Sequence, residues 1–291
     1  MPEEEAERLL ARSRDAEVLE HPPDQAELED AVRWFAENDD GESACELAAN
    51  VWRIWFQSGD VAGGRRLLAE ALGAGGEPSR ARALALHADG LLAFREGEQD
   101  ESKTRNAAAL EAAQLAGDEE AQSLALVGLS RVALRDGDFG RVRLLAGEAR
   151  ELAPSAAAEA MPLHLLAAGT RLSGELDDAV ELYTESLELN RGLGASLMVG
   201  MELHNLGHVE LRRGNVDSAK RHFADCRELR SPDNPYDVAM TDLNDAALAV
   251  DGGDRVEGSR LLGRAEETLA RAGIVLDPDD QSEVDWLRDR L

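Results

Sequence analysis

Histidine and arginine side chains at helical spacing are the residues of this sequence that could do chemistry. His204 and His208 are four residues apart and share one face of a predicted helix, and His164 precedes His204 by 40 residues. Three imidazoles could hold a zinc or nickel ion. The sequence has no His-Glu-x-x-His pattern and no obvious carboxylate base beside them. We therefore predict no metal, and we assign these histidines to polar recognition with a charge that can change near neutral pH.

Signatures of catalysis are absent from the sequence. It has no G-x-S-x-G nucleophile elbow, and neither Cys45 nor Cys226 lies near a histidine pattern at a helix end. The glycine-rich stretch at 73–76 follows a predicted helix and leads to Pro78, so we interpret it as a linker and not as a phosphate-binding loop. We predict that the chain is not an enzyme and needs no cofactor.

The charge of the chain excludes several classes of partner. The formal net charge is -28 and the pI is near 4.5, so the surface repels nucleic-acid backbones and anionic membranes. The acidic N-terminus is not followed by an apolar run, and no stretch approaches the length needed to span a bilayer. Two cysteines in 291 residues do not form a disulfide scaffold. We therefore predict a cytoplasmic protein that binds neither nucleic acid nor membrane.

Composition and an internal repeat predict an all-α chain. Ala, Leu, Glu and Arg dominate, and aromatic residues make up only 4%, which favours helices over sheets. Glycines followed by an acidic residue or asparagine recur at spacings of 38, 40, 37, 40 and 39 residues: Gly59, Gly97, Gly137, Gly174, Gly214 and Gly253. Each glycine is expected to end one helix in the left-handed conformation, and the next residue to cap the following helix. Four aromatic residues are interpreted as core: Trp34, Trp52, Trp55 and Phe56.

The residues around these glycines resemble the tetratricopeptide repeat (TPR), a helix-turn-helix family. The best match comprises Leu206-Gly207, Arg213-Gly214-Asn215, Ala219 and Phe223. The family places a small residue near the middle of the first helix, where the second helix crosses closely, and Gly207 and Gly90 fill that position. One repeat departs from the family, with Ser102 and Asn106 where alanine and an aromatic residue are usual. We expect its second helix to pack loosely.

The resemblance implies which residues line the concave surface of the repeats. Transferred to this chain, it gives a predicted partner-binding set of Arg53, His87, Arg95, Arg131, Arg135, His164, Arg171, His204, Asn205, His208 and Arg212. Such a cationic surface would suit an acidic peptide, a carboxylate or a phosphorylated group, which arginine binds with two hydrogen bonds. Alternatively, the arginines pair with acidic residues of adjacent repeats. Lysines are missing from the positions that read chaperone tails in some family members, so we do not predict that ligand.

Two segments of the chain resemble a more specific group of TPR proteins. Residues 44–72 and the run Arg260–Glu266 look like the repeat arm of bacterial LuxR-type and related ATPase transcription regulators. In that family the arm is a sensor and interaction platform between a nucleotide-binding motor and a DNA-binding domain. The sequence has no G-x-x-x-x-G-K-[ST] loop and no C-terminal helix-turn-helix extension. The resemblance therefore implies only the platform role.

These features predict a single TPR domain over residues 1–291. We expect a right-handed TPR superhelix, an α-solenoid of about seven helix pairs with a C-terminal capping helix. A degenerate N-terminal pair would cover 1–38, six TPR-like pairs 39–273, and the capping helix 274–291. The predicted function is binding of a protein or peptide of acidic character in the concave groove, in regulation or signalling. The alternative is a small-molecule-sensing arm of a split transcription regulator.

Overall fold

A computed structural model describes residues 1–291, apart from the side chain of Ala16. All regular structure in this described part of the chain is helical, with one short 3₁₀ helix at Ala16–Leu19 and no β-strand. The α-helices are α1 (Glu3–Ser13), α2 (Gln25–Glu37), α3 (Gly41–Ser58), α4 (Val61–Gly73), α5 (Arg80–Glu96), α6 (Gln99–Ala116), α7 (Glu119–Arg135), α8 (Phe139–Glu151), α9 (Ala156–Leu172), α10 (Leu176–Leu193), α11 (Ser196–Arg212), α12 (Val216–Leu229), α13 (Pro235–Asp251), α14 (Arg255–Ala272) and α15 (Pro278–Arg288). The predicted all-α fold is confirmed.

The recurring glycines end helices as predicted. All six adopt the left-handed conformation, with φ between 74° and 85°, a region that favours glycine because it has no Cβ. The residue after the glycine caps the next helix only where it is aspartate: Asp60, Asp138 and Asp254 each accept a backbone N–H three residues on. Glu98 and Glu175 do not cap, and their longer side chains pair with arginines instead.

The helices pack as consecutive pairs within two compact units. Unit 1 comprises Met1–Val132 and Glu148–Pro154, and unit 2 comprises Ala133–Gly147 and Ser155–Leu291. The pairs are α3 with α4, α5 with α6, α9 with α10, α11 with α12, and α13 with α14. The assignment of residues 1–291 to one TPR domain stays a prediction.

Unit 1 has a core of alanine and leucine side chains around a few aromatic ones. Trp55 is almost fully buried, and Trp52 is 8% exposed, whereas Trp34 and Phe56 are only partly buried against the core. Ser102 and Asn106 lie buried between α5 and α6, where they form hydrogen bonds rather than a gap. The expectation of loose packing at this repeat was therefore wrong, because an amide can satisfy its polar atoms locally where the family uses an aromatic ring.

Unit 2 has a core that includes the C-terminal helix α15. Val284 and Leu287 are buried against α13 and α14, and Trp286 and Leu291 pack at the edge of the same cluster. The opposite face of α15 carries acidic residues, and these reach α9 and α11. No helix in the described part of the chain is both long and apolar enough to cross a membrane.

Candidate binding surfaces

The predicted partner-binding residues divide between the two units. Arg53, His87, Arg95 and Arg131 belong to unit 1, and the remaining seven belong to unit 2. We call Trp52, Arg53, Phe56, Arg95 and Arg131 the cationic face of unit 1. We call His164, Arg171, His204, His208 and Arg212 the cationic face of unit 2. The two faces differ in what their cations contact.

The cationic face of unit 2 surrounds the side chain of Glu283, which comes from α15. Both oxygens of this carboxylate are engaged. Oε1 accepts a hydrogen bond from Nη1 of Arg171, and Oε2 lies 2.6 Å from Nη2 of Arg212 and 3.0 Å from Nδ1 of His208. Glu283 has no exposed surface. One buried anion therefore binds two guanidinium groups and one imidazole from α9 and α11.

Arg171 makes further contacts with the same helix. Its guanidinium donates to the hydroxyl oxygen of Ser282 at 3.3 Å and to the backbone carbonyl oxygen of Asp279 at 3.1 Å, both in α15. Nε of Arg171 donates to the hydroxyl oxygen of Tyr183 in α10 at 3.2 Å. Arg171 is 1% exposed, so burial of its charge depends on these acceptors.

Two aspartates at the start of α15 face the histidines of unit 2. Oδ2 of Asp279 lies 4.0 Å from Nε2 of His164, and Oδ1 of Asp280 lies 3.8 Å from Nε2 of His204. The hydroxyl group of Tyr236 in α13 donates to Oδ2 of Asp280 at 2.7 Å. The N-terminal turn of α15 is thus held by polar groups from α9, α11 and α13.

Burial and charge move the pKa values of the α15 carboxyl groups in opposite directions. Burial would raise the pKa of Glu283, but His208 and Arg171 outweigh it and hold this pKa well below its usual range. For Asp280, burial and the neighbouring Asp279 raise the pKa to about 7. Glu283 is therefore the strongly bound anion of the interface, and Asp280 is its weakly ionised member.

Three further predicted residues of unit 2, Arg135, His164 and His208, also have acceptors nearby. Nη2 of Arg135 lies 3.4 Å from Oδ1 of Asp277, just before α15. Nε2 of His208 lies 3.0 Å from Oδ1 of Asn244, and Nδ1 of His164 lies 2.9 Å from Oε1 of Glu202. Asn205 is buried, 2% exposed. The sequence left open whether the arginines pair internally; in unit 2, Arg171 and Arg212 pair with Glu283 of α15, and Arg135 lies beside Asp277 just before that helix.

The histidines of unit 2 do not gather into a metal site. Within the described residues, no group of three or more His, Cys, Asp or Glu side chains is arranged to hold a metal ion. The rings of His204 and His208 lie 4.6 Å apart between centroids in an edge-on arrangement. The two imidazoles contact each other and α15, so their helical spacing has a structural use.

The cationic face of unit 1 is exposed. The guanidinium carbon of Arg53 lies 4.7 Å from the ring centroid of Trp52, and that of Arg95 lies 5.2 Å from the centroid of Phe56. Both arginines are exposed, and neither forms an ion pair with a carboxylate in the described part of the chain. Aromatic rings hold these guanidinium groups by cation–π contact and leave their N–H edges available for an anion.

Two cavities adjoin this face. One, of about 230 Å³, is lined by Trp52, Phe56, Leu91, Leu92, Phe94, Arg95 and Arg131. The other, of about 310 Å³, is lined mainly by residues of α1, α3 and α5, including Trp52, Arg53 and His87. Apolar walls with a few cationic groups are typical of ligand sites. The cavities place Arg53, Arg95 and Arg131 around Trp52, which lines both of them.

His87 supports the cationic face of unit 1 from below the surface. It is 8% exposed, and its Nδ1 lies 2.9 Å from Oδ1 of the buried Asn106. Burial is the main reason that the pKa of His87 is lowered to about 4; the hydrogen bond with Asn106 opposes this shift, and the charges of Arg131 and Arg53 add to it. His87 is therefore a neutral side chain at physiological pH.

Sequence reasoning missed residues in both units. Trp52 and Phe56 belong to the core of unit 1 as interpreted, but the sequence did not indicate that their rings also carry Arg53 and Arg95. Asp279, Asp280 and Glu283 were not singled out, yet they neutralise the face of unit 2. The available signal was the spacing of Asp279 and Glu283, because residues four apart lie on one face of a helix.

Solved structures with a similar fold are TPR-type proteins. A Rap protein complexed with Competence and Sporulation Factor has a TM-score of 0.67 and 13% identity, covering 99% of this chain and 81% of that protein. NprR in complex with its cognate peptide NprX has a TM-score of 0.62 and 13% identity, covering 98% and 81%. A tetratricopeptide repeat protein from Parabacteroides merdae ATCC 43184 has a TM-score of 0.59 and 11% identity, covering 91% and 93%.

These similarities establish a helical-repeat fold of the TPR type. No protein-family model and no curated protein matches the sequence. At 11–13% identity the similarity concerns the fold alone. The narrower resemblance to the arm of LuxR-type regulators stays a prediction.

Proposed function

We propose that this chain is a non-catalytic module that binds an anionic peptide on the cationic face of unit 1, in a regulatory role. The observation that carries the proposal is the pair of exposed guanidinium groups, Arg53 on Trp52 and Arg95 on Phe56, without a carboxylate partner among the described residues. Peptide carboxylates would take the place of that missing partner.

The shape of the face favours a peptide over a single small anion. Two cavities of about 230 and 310 Å³ share Trp52 in their walls, so a chain with two successive side chains could occupy both. A carboxylate held by two N–H groups of Arg53 or Arg95 would fix the position of the peptide. Trp52 would supply the apolar contact, in the manner of a hot-spot residue.

The similar folds support the same class of ligand. The Rap protein was solved with Competence and Sporulation Factor, and NprR with its cognate peptide NprX. Binding of a peptide by a TPR-type fold is therefore compatible with its geometry. The acidic character of the ligand follows from the charge of the face and not from those proteins.

Selection of peptides from a random displayed library tests the proposal. Peptides recovered on the wild-type chain should be enriched in Asp and Glu. Their dissociation constants should rise about tenfold or more for the double variant Arg53→Glu with Arg95→Glu, because a hydrogen bond to a charged group contributes roughly 1.5–3 kcal/mol and about 1.4 kcal/mol is a factor of ten.

The matched control is Arg66→Glu, an arginine of the same unit whose side chain is 72% exposed. It should leave the dissociation constants within about twofold, because Arg66 lines neither cavity and salt screens the charge of an exposed side chain. The proposal fails if the selected peptides are not acidic, or if both reversals weaken binding to the same degree.

A further inference from the structure

The C-terminal helix occupies the cationic face of unit 2 as a ligand would. Its residues Asp279, Asp280 and Glu283 direct their carboxylates at the histidines and arginines of that face. The contacts join parts of the chain that are far apart in sequence: Glu283 lies 112 residues from Arg171 and 71 from Arg212. A short non-helical segment between Ala272 and Pro278 connects α15 to α14.

We infer that the cationic face of unit 2 is a binding site for an acidic helix of a partner protein, and that α15 is an intramolecular competitor for it. The recognised pattern is the one α15 presents. It has carboxylates at positions i, i+1 and i+4, supplied here by Asp279, Asp280 and Glu283, followed by apolar residues at i+5 and i+8, supplied by Val284 and Leu287.

The polar contacts between α15 and the cationic face of unit 2 favour replacement of α15 by another helix. Buried ion pairs lose much of their Coulombic gain to desolvation, so the pairs of Glu283 with Arg171 and Arg212 add little net stability to the docking of α15. Another helix with the same carboxylates would form the same contacts with Arg171, His208 and Arg212. The intramolecular helix has the advantage of a high effective concentration, set by its short connection to α14.

The face also holds polar atoms that α15 leaves without hydrogen bonds. Both ring nitrogens of His204, Nε of Arg212 and Oδ1 of Asn205 are buried without a hydrogen-bond partner in the described part of the chain. A buried polar group without a partner is unfavourable. A partner helix that reaches these atoms would bind better than α15 does at the same positions, which gives it a means to displace the internal helix.

The connection between α14 and α15 permits release. Gly273 ends α14 in the left-handed conformation, and Val275 in the same segment is 89% exposed. Its neighbours Ile274 and Leu276 are partly buried against the core of unit 2, so release of α15 breaks contacts at these two residues and none at Val275. This proposal concerns a different surface from the peptide site of unit 1, and each can fail without the other.

The test uses a fluorescein-labelled peptide with the sequence of residues 277–291 and measures its binding to the full chain by anisotropy. We expect Glu283→Gln, which weakens the internal helix and keeps all the cations of the face, to bind the peptide at least about tenfold tighter than wild type does. The matched control is Asp285→Asn, a carboxylate on the exposed side of α15, which should bind like wild type.

Specificity is tested with two further peptides. An unlabelled peptide of unrelated sequence, with carboxylates and apolar residues at the same positions, should displace the labelled one, and a scrambled version should not. Equal binding of the labelled peptide to wild type and Glu283→Gln overturns the proposal, as does equal displacement by the scrambled peptide. Light scattering provides one more check. If the wild type is a dimer and Glu283→Gln is a monomer, the occupant is a second copy of the chain and the proposal is overturned.

A second design keeps the test valid if Glu283→Gln unfolds unit 2. A protease recognition sequence inserted at Val275 allows α15 to be cut from the folded wild-type chain. After cutting and dilution, the labelled peptide should bind at least about tenfold tighter than before the cut, since the tether is gone. Loss of the hydrogen-exchange protection of α9 and α11 after the cut, with no peptide binding, would show that α15 is a fixed part of the core and overturn the proposal.

Discussion

Equivalent repeat positions carry cations in both units, and the two units use them differently. In unit 1, Arg53 and Arg95 lie over aromatic rings at an exposed surface. In unit 2, Arg171 and Arg212 surround Glu283 in a buried interface. The repeat thus specifies where a charge lies along the first helix of a pair. Whether that charge can bind a partner depends on whether another segment of the chain, such as α15, places a carboxylate beside it.

The largest expected effect comes from removing the central cation of unit 2. Arg171→Ala should lower the stability of unit 2 by roughly 3–5 kcal/mol, because it leaves a buried ion network without one partner. Hydrogen exchange, read separately for α3–α6 and α9–α15, measures each unit. Unit 1 should be unchanged.

The control for that substitution is Arg143→Ala in the same unit. Its ion pair with Glu175 is about two-fifths exposed on both sides, and exposed pairs contribute only about 0–1 kcal/mol. Equal losses of unit 2 stability for the two variants would mean that the network around Glu283 contributes no more than a surface ion pair. The difference between the buried cations of unit 2 and the exposed cations of unit 1 would then have no energetic consequence.

The stability of unit 1 should depend on pH through His87, and it must be measured separately from that of unit 2, where burial also lowers the pKa of His204. Burial lowers the pKa of His87 from 6.5 to about 4, so the folded state keeps it neutral while the unfolded state protonates below pH 6.5. Stability of unit 1 should therefore fall as the pH is lowered from 6.5 to 4, by on the order of 2–3 kcal/mol. Urea unfolding followed by tryptophan fluorescence measures it, in a Trp286→Phe background that leaves Trp34, Trp52 and Trp55 of unit 1 as reporters.

His87→Gln is the control for the pH experiment. Glutamine can donate a hydrogen bond to Asn106 and does not titrate, so this variant should lose the part of the pH dependence that lies between 6.5 and 4. A pH dependence that is unchanged in His87→Gln would assign it to other groups.

The smallest effect concerns the close contact of helices inside a repeat. A Cβ added to Gly207 would lie 2.2 Å from Cε1 of Phe223 in unit 2, whereas one added to Gly200 in the same helix meets nothing nearer than 4.0 Å. Gly207→Ala should therefore cost about 1–3 kcal/mol through overpacking. Gly200→Ala should be neutral or stabilise slightly, because alanine is the better helix former. Equal melting temperatures for the two variants would contradict the close approach.

The equivalent position in unit 1 shows the limit of sequence reasoning about packing. A Cβ at Gly90 would lie 2.4 Å from Nδ2 of Asn106, the residue that replaces the usual aromatic side chain. The requirement for a small residue was predictable from the repeat. The hydrogen bond between Asn106 and His87 was not, because it depends on the orientation of two side chains from different helices.

The sequence by itself determined the helices, their ends and the positions of the cations along them. These are local properties: helix propensity, and the need for glycine where the backbone turns left-handed at Gly59 or Gly214. Only the tertiary structure decided which cations are neutralised. That outcome depends on the direction of the segment after Ala272, which determines where α15 packs. It therefore depends on contacts such as that of Arg171 with Glu283, 112 residues apart, which no local pattern encodes.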